Sequence, residues 1–442
     1  MLDYDDLHDY QKRAVDWVTD PQRSNGFLWL GMGDGKTVIG ATAIAALDRG
    51  ALVVGTKRIV ETTWPNELAK WRHLEHLSFA AAVGPKRHRE KAVAKCPDVL
   101  GVSYENLKWL LESGGARGRT VILFDEITKM KSPSTRRFKT LKKAIAGSKT
   151  PLKIFGMTAT PTLEGHGSLW AQWKSIGGDD RIGRTITDFR NHFTQPIFKG
   201  NFTDYQVHPR HAKKIERYLQ DDIFTIDDSD RPYQPNARIE DVIIPWGTTG
   251  ARDVYTTAEK HMIIELGKRS FAAASAGVAM NKCRQLASGF VYDQEGEEHW
   301  TDDGKIDAVV EAVEELQGAP VLIFYQFKAE RNALAAALPN VKVLGKDVTP
   351  DDLEGQILLH PRSASHGLNL QSCRYAFFVS VPLSGEEYVQ AIGRIDRQGQ
   401  TGQPVIKRFV RAGTIDEESI VIAEGKKLSD EEVVARVKAR QS

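Results

Sequence analysis

The chain alternates short apolar runs with longer stretches in which apolar residues recur every three or four positions. FLWL (27–30), ALVVGT (51–56), SFAAAV (78–83), DVLGVSY (98–104), TVILFDE (120–126) and LKIFGMTAT (152–160) read as buried strands. LHDYQKRAVDWV (7–18), the stretch from Lys36 to Gly50, the segment around Trp64–Trp71 and a basic stretch at 85–95 read as the intervening helices. Strands alternating with helices predict right-handed crossovers and a mostly parallel sheet covered on both faces. The rhythm breaks from 161 to about 304, where aromatic and basic residues mix through 197–219 and an acidic loop, DDSDRP, follows at 227–232. It resumes with KIDAVVEAVEEL (305–316), APVLIFYQF (319–327), a helix near 328–338, NVKVLG, GQILLH, RYAFFVSVP (374–382), a helix through 385–395 and PVIKRFVRA (404–412). The pattern predicts an α/β protein with one domain at 1–165, a linker and mainly helical insert at 166–300, a second α/β domain at 301–425 and a charged C-terminal helix or tail at 426–442.

At 442 residues the chain exceeds the size at which one core stops growing, which agrees with two domains. A hydrophobic fraction of 41% and a charged fraction of 27% are ordinary for a soluble globular protein. The net charge of +2 leaves the partner open, but its distribution is uneven. No acidic residue lies between Ile127 and Leu163, whereas Lys129, Lys131, Arg136, Arg137, Lys139, Lys142, Lys143, Lys149 and Lys153 do. Such a run could meet a phosphate backbone or form a solvated helix face. Cys96, Cys283 and Cys373 are far apart, which argues against a zinc module or a disulfide framework. The acidic N-terminus lacks the layout of a signal peptide, and no run approaches a membrane span, so a cytoplasmic location without membrane partners is expected.

The candidate chemistry lies at strand ends, where ligands bind in open parallel sheets. GMGDGKT (31–37) reads as a phosphate-binding loop. Gly31, Gly33 and Gly35 let backbone N–H groups face an anion, Lys36 reaches the outer phosphates and Thr37 ligates magnesium at the start of a helix. Leu30 stands where the strict pattern has glycine, and Asp34 adds a carboxylate, so a plain glycine turn would also fit. Asp125 and Glu126 end a strand; the first could bind magnesium and the second orient the attacking water, or the pair could simply begin a loop. Gln11 carries a carboxamide able to read an adenine edge, or is a polar residue on a surface helix. Arg394 and Arg397, three apart, could face a γ-phosphate as arginine fingers, or be surface arginines flanking Asp396.

In order along the chain, these pieces resemble the superfamily-two helicases, and within them the Swi/Snf-like duplex DNA translocases. LHDYQ (7–11) resembles the adenine-reading motif, GMGDGKT motif I, VVGTKRIVETTWPNELAKW (53–71) the segment bearing motif Ia, DEITKMKSP (125–133) motif II and GMTATPT (156–162) motif III. FYQF (324–327), SASHGLNL (363–370) and QAIGRIDRQGQ (390–400) resemble motifs IV, V and VI, and NKCRQLASG (281–289) the segment preceding the second motor domain. The resemblance implies two tandem RecA-like lobes, with ATP and Mg2+ as cofactors. Tyr10, Gln11, Gly33, Gly35, Lys36 and Thr37 would bind nucleotide, Thr37 and Asp125 the metal, and Glu126 the water. Arg394 and Arg397 would complete the site, while Thr158, Thr160, Gly367 and Asn369 would couple it to nucleic acid. The expected activity is a nucleic-acid-stimulated ATPase that moves along duplex or branched DNA as a monomeric motor. The alternatives are an RNA helicase and a non-hydrolysing nucleic-acid scaffold. The sequence departs from the family at Leu30, Asp34, Thr128 and His366; Asp34 is expected to point to solvent or toward the other lobe, because a buried carboxylate would repel triphosphate.

Overall fold

A strand that is buried on both faces reads as an uninterrupted apolar run, and the N-terminal runs form one sheet. In the computed structural model its strands are β1 (Asn25–Trp29), β2 (Ala51–Gly55), β3 (Phe79–Ala82), β4 (Val99–Ser103), β5 (Val121–Asp125) and β6 (Lys153–Thr158). A ribbon of β7 (Thr194–Lys199) and β8 (Phe202–Val207) follows, then the short β9 (Ile223–Phe224), which joins the sheet at its edge. The order is β3-β4-β2-β5-β6-β1-β9, with every pair parallel. Each residue of β2, β4, β5 and β6 is buried. One face packs Phe27, Leu52, Val54, Leu100 and Phe124 against Trp173, Phe138 and neighbouring side chains. The other packs Leu28, Val53, Leu123 and Met157 under helices α1 (Asp9–Thr19) and α2 (Lys36–Leu47). The small side chains of α2 let it lie close to the sheet; a Cβ on Gly40 would sit 3.0 Å from Leu123 and 3.3 Å from Trp64.

The second sheet contains β10 (Arg238–Ile244), β13 (Val321–Phe324), β14 (Lys342–Val343), β15 (Gln356–Leu359), β16 (Tyr375–Phe378) and β17 (Val405–Arg411), in the order β10-β17-β16-β13-β15-β14, again parallel throughout. Between β10 and β13 in the chain lie the two-stranded pair β11 (Phe290–Tyr292) and β12 (Glu298–Trp300). Helices Gly304–Glu314, Lys328–Ala337, Gly385–Ile392 and Ile415–Ala423 flank the sheet. Two buried ion pairs, Lys305–Asp416 at 2.6 Å and Arg411–Asp302 at 2.7 Å, tie its helices to the end of β17.

The structure describes residues 1–161, 166–199, 202–231, 233, 236–267, 273–344, 354–364, 370, 373–397 and 399–425, so the tail expected at 426–442 lies outside the described residues. The chain divides into unit 1, Met1–Pro196 with Tyr205–Pro232, and unit 2, Ile197–Asp204 with Tyr233–Ser442. The stretch read from sequence as a separate, mainly helical insert therefore contributes to both units: β9 extends the first sheet and β10 the second. Its helical content is nonetheless present in Pro209–Leu219, Thr249–Gly267 and Ala273–Ala287. The basic run also divides by role. Arg136, Lys139, Lys142 and Lys143 are exposed on or near the helix Arg136–Ala146. Lys153 is buried and donates to the carbonyls of Val18, Asp20 and Arg23. Among the described residues no helix is long and apolar enough to cross a membrane.

Candidate nucleotide site

The loop between β1 and α2 turns through two left-handed glycines, Gly33 (φ 86°) and Gly35 (φ 76°), a conformation that costs glycine nothing. A Cβ at Gly35 would also fall 2.2 Å from Nε2 of Gln11. Gly35 precedes α2 and has no side chain to cap it, which leaves the helix N-terminus facing the loop. Lys36 donates from Nζ to the carbonyls of Leu30 (2.9 Å) and Gly31 (2.7 Å), folding its charge back over the loop. Tyr10 and Gln11 brace the loop from α1: the Tyr10 hydroxyl donates to the Asp34 carbonyl at 3.2 Å, and Nε2 of Gln11 to the same oxygen at 3.3 Å. Oε1 of Gln11 accepts the His8 N–H at 3.0 Å, so both ends of the carboxamide are engaged within the chain. Burial first, and the Asp34 charge second, push the Tyr10 phenol up to about 12.

Asp34 does not point to solvent, one of the two directions expected from the sequence. It is buried within unit 1, where Oδ2 accepts the Gly31 N–H at 2.5 Å and lies 3.2 Å from Nε of Arg231. The cost of burying this carboxylate is offset by that guanidinium.

At the end of β5, Asp125 is held by Trp64, whose Nε1 donates to Oδ2 at 2.9 Å. Glu126 has a left-handed backbone, φ 67°, rare for a side chain of this size. Its Oε1 accepts the hydroxyls of Thr128 (2.6 Å) and Thr158 (2.5 Å). The Tyr104 hydroxyl lies 3.0 Å from the Asp125 carbonyl and 2.8 Å from that of Glu126, holding the turn from below. Burial, then the Glu126 and Asp125 charges, raise the Tyr104 phenol well above its ordinary value. At the end of β6, Thr158 Oγ1 accepts the Thr160 N–H at 3.0 Å, while the Thr158 carbonyl accepts the Leu30 N–H at 3.2 Å. The Thr160 hydroxyl oxygen is buried without a hydrogen-bond partner among the described residues.

Unit 1 thus brings together Tyr10, Gln11, Gly33, Gly35, Lys36, Thr37, Asp125, Glu126, Thr158 and Thr160 around the ends of β1, β5 and β6. Arg394 and Arg397 belong to unit 2. The helix expected through residue 395 ends at Ile392, and the two arginines lie on the succeeding turns, in which Asp396 N–H donates to the Ile392 carbonyl and Gln400 N–H to that of Arg397. Asp396 is buried and accepts the Tyr233 hydroxyl (2.6 Å) and the N–H groups of Asn236 (3.1 Å) and Ala237 (2.9 Å). Gly367, Asn369 and His366 lie outside the described residues. Trp64, Tyr104 and Arg231 were not singled out by sequence reasoning. Thr128 was noted only as a departure from the family, yet it contacts the acidic pair directly.

The residues present fit a magnesium nucleotide. A glycine-built turn opens onto a helix N-terminus with Lys36 and Thr37 as its first residues, and the oxygens of Thr37 and Asp125 are the hard donors magnesium prefers.

The SNF2-related domain family matches residues 10–223. Protein p41 of Acyrthosiphon pisum secondary endosymbiont phage 1 is 33% identical over 439 residues, covering 92% of this chain and 93% of its own length. The chain belongs to the SNF2-related family. Its two parallel α/β units have the RecA-like architecture of helicase cores, and the family gives it the general character of an ATPase. Its fold is similar to that of the Pyrococcus furiosus Hef helicase domain, with a TM-score of 0.55 at 15% identity, covering 94% of this chain and 97% of that one. The Sulfolobus solfataricus SWI2/SNF2 ATPase core, solved in complex with dsDNA, aligns with 99% of this SNF2-related chain and 95% of its own at 20% identity, with a TM-score of 0.45.

Proposed function

We propose that the chain is a motor that couples ATP hydrolysis to movement along duplex or branched DNA. The observation that carries this reading is the position of Thr158. Its carbonyl binds Leu30, the residue that leads into the phosphate loop, and its hydroxyl binds the carboxylate of Glu126, so one residue links the base of the loop that would hold phosphate to the group that would orient water. Lys36 and the N-terminus of α2 bind the triphosphate, and Tyr10 and Gln11 keep the loop in shape. Thr37 and Asp125 hold magnesium, which when bound neutralises charge on the phosphate oxygens. Glu126, aimed by Thr128 and Thr158, orients the attacking water and receives its proton at Oε. Arg394 and Arg397 of unit 2 supply positive charge to the phosphoryl group as it transfers. Thr158 and Thr160 carry the nucleotide state toward the nucleic acid. The exposed Arg136, Lys139, Lys142 and Lys143 suit contacts with a phosphate backbone, which are independent of sequence.

The test is steady-state ATP hydrolysis by the full chain with duplex DNA, branched DNA, single-stranded DNA or RNA, with Lys36→Ala as the control. Stimulation by duplex or branched DNA, together with displacement of a triplex-forming strand, is expected. Stimulation by RNA alone would replace the DNA reading with an RNA helicase. Turnover no greater than the control with every nucleic acid would leave a non-hydrolysing scaffold.

A further inference from the structure

The last of the divisions between the units falls between residues 232 and 233, and the two described residues that flank it are both anchored, each within its own unit. On one side, Arg231 places Nε 3.2 Å from Oδ2 of Asp34, the oxygen that also accepts the Gly31 N–H. On the other, Tyr233 donates to Asp396, the buried carboxylate between Arg394 and Arg397, which also takes the N–H groups of Asn236 and Ala237. Burial first, then the hydrogen bond to Asp396, raise the Tyr233 phenol well above its ordinary value, so it remains a donor. Arg231 therefore touches the phosphate loop within unit 1, and Tyr233 touches the arginine-bearing turn within unit 2.

We propose that the residues flanking this division act as a strap, each within its own unit: Arg231 positions the phosphate loop of unit 1 by compensating Asp34, and Tyr233 positions the arginine turn of unit 2 through Asp396. The proposal rests on the ATP-motor reading. A carboxylate two residues from Lys36 opposes an incoming triphosphate unless it is neutralised and turned inward, and Arg231 does both. Loss of Arg231 leaves the charge of Asp34 in the loop, whereas loss of both charges leaves a neutral loop. The ion pair thus differs from simple packing in a measurable way: removing the second partner should repair the damage done by removing the first.

Equilibrium titration of the full chain with a fluorescent ADP analogue, followed by ATPase kinetics, tests this. Arg231→Gln should weaken nucleotide affinity roughly 10-fold, the scale of one charge-assisted contact, and raise KM more than it lowers kcat. Arg231→Lys, which keeps the charge, and the double variant Asp34→Asn/Arg231→Gln should each recover most of that affinity. Tyr233→Phe should retain affinity and lower kcat. Wild-type affinity in Arg231→Gln, a double variant no better than Arg231→Gln, or an unchanged kcat in Tyr233→Phe would each overturn the strap. Lys36→Ala separates the two levels: if it binds nucleotide as tightly as the native chain, the motor reading itself fails, whereas lost binding there with an indifferent Arg231→Gln overturns the strap alone.

Discussion

The hydroxyl of Thr158 donates to Oε1 of Glu126 across the ends of β6 and β5 at 2.5 Å, sharing that oxygen with Thr128. Two hydroxyls on one oxygen fix the orientation of the carboxylate. Thr158→Val should lower kcat about 10-fold, the value of one hydrogen bond to a charged group, with nucleotide affinity unchanged. Glu126→Gln should keep nucleotide binding and lose turnover by about 100-fold or more, the usual contribution of a positioned base. Single-turnover hydrolysis beside equilibrium titration measures both, and full activity in Glu126→Gln would remove the water-orienting role.

Trp64 supports a carboxylate from behind. Replacing it with Phe retains most of the buried ring and deletes the donor to Asp125. Partners that orient metal ligands are commonly worth about 10-fold or more in metal affinity. The magnesium concentration for half-maximal ATPase in Trp64→Phe is therefore expected to rise several-fold, and an unchanged magnesium dependence would make Trp64 a packing residue only.

Arg397→Ala is expected to slow hydrolysis while leaving nucleotide-free DNA binding close to that of the native chain. Filter binding or anisotropy with a duplex, alongside the ATPase rate, distinguishes the outcomes. Weakened DNA binding with intact hydrolysis would move Arg397 from the nucleotide to the nucleic acid.

Lys153 belongs by sequence to the basic run but by structure to the core. Lys153→Met should cost about 3 kcal/mol, because it removes a buried ammonium that binds the carbonyls of Val18, Asp20 and Arg23. Denaturant unfolding reads that loss. DNA affinity at a temperature where the variant is folded should not change, in contrast to Lys139→Ala or Lys142→Ala.

One pH effect follows from the imidazole of His73, which lies 2.9 Å from the Thr42 hydroxyl. Burial, partly countered by Asp3, holds it below its ordinary value of 6.5. The unfolded chain takes up a proton near 6.5 that the folded chain resists, so this contribution to stability is complete above that pH and is lost as pH falls from 6.5 toward the folded value. His73→Gln should flatten that portion of a plot of Tm against pH; a slope identical to that of the native chain would exclude His73 as its source.

The central strands of both sheets were legible because burial on two faces leaves an unbroken apolar signature, and the loop residues were legible because glycine, lysine and threonine occur in a fixed local order. The segment from 166 to 300 was harder for a physical reason. β9 has only two residues, and β10, RIEDVII, is an edge strand with mostly exposed or half-buried positions, so neither shows as an apolar run. Helical spacing alone did not locate the end of the helix at Ile392, since the residues that follow keep the same turn-like progression of hydrogen bonds. Asp34 could not be read correctly because its partner, Arg231, is 197 positions away in a stretch without periodicity. Trp64 and Asp125, 61 positions apart, pose the same difficulty: local pattern reports the backbone, whereas side-chain partnerships across a sheet depend on the assembled fold.

The left-handed backbone of Glu126 has an evolutionary consequence. A glutamate at φ 67° carries a conformational penalty of about 1 kcal/mol or more that glycine would avoid. Selection for folding alone favours glycine or asparagine there, so under the proposed water-orienting role it is selection for chemistry that retains the acid. On that reading a relative that abandons hydrolysis is free to gain stability at this position, and the residue that follows the aspartate at the end of β5 is expected to separate working motors from descendants that keep only the fold.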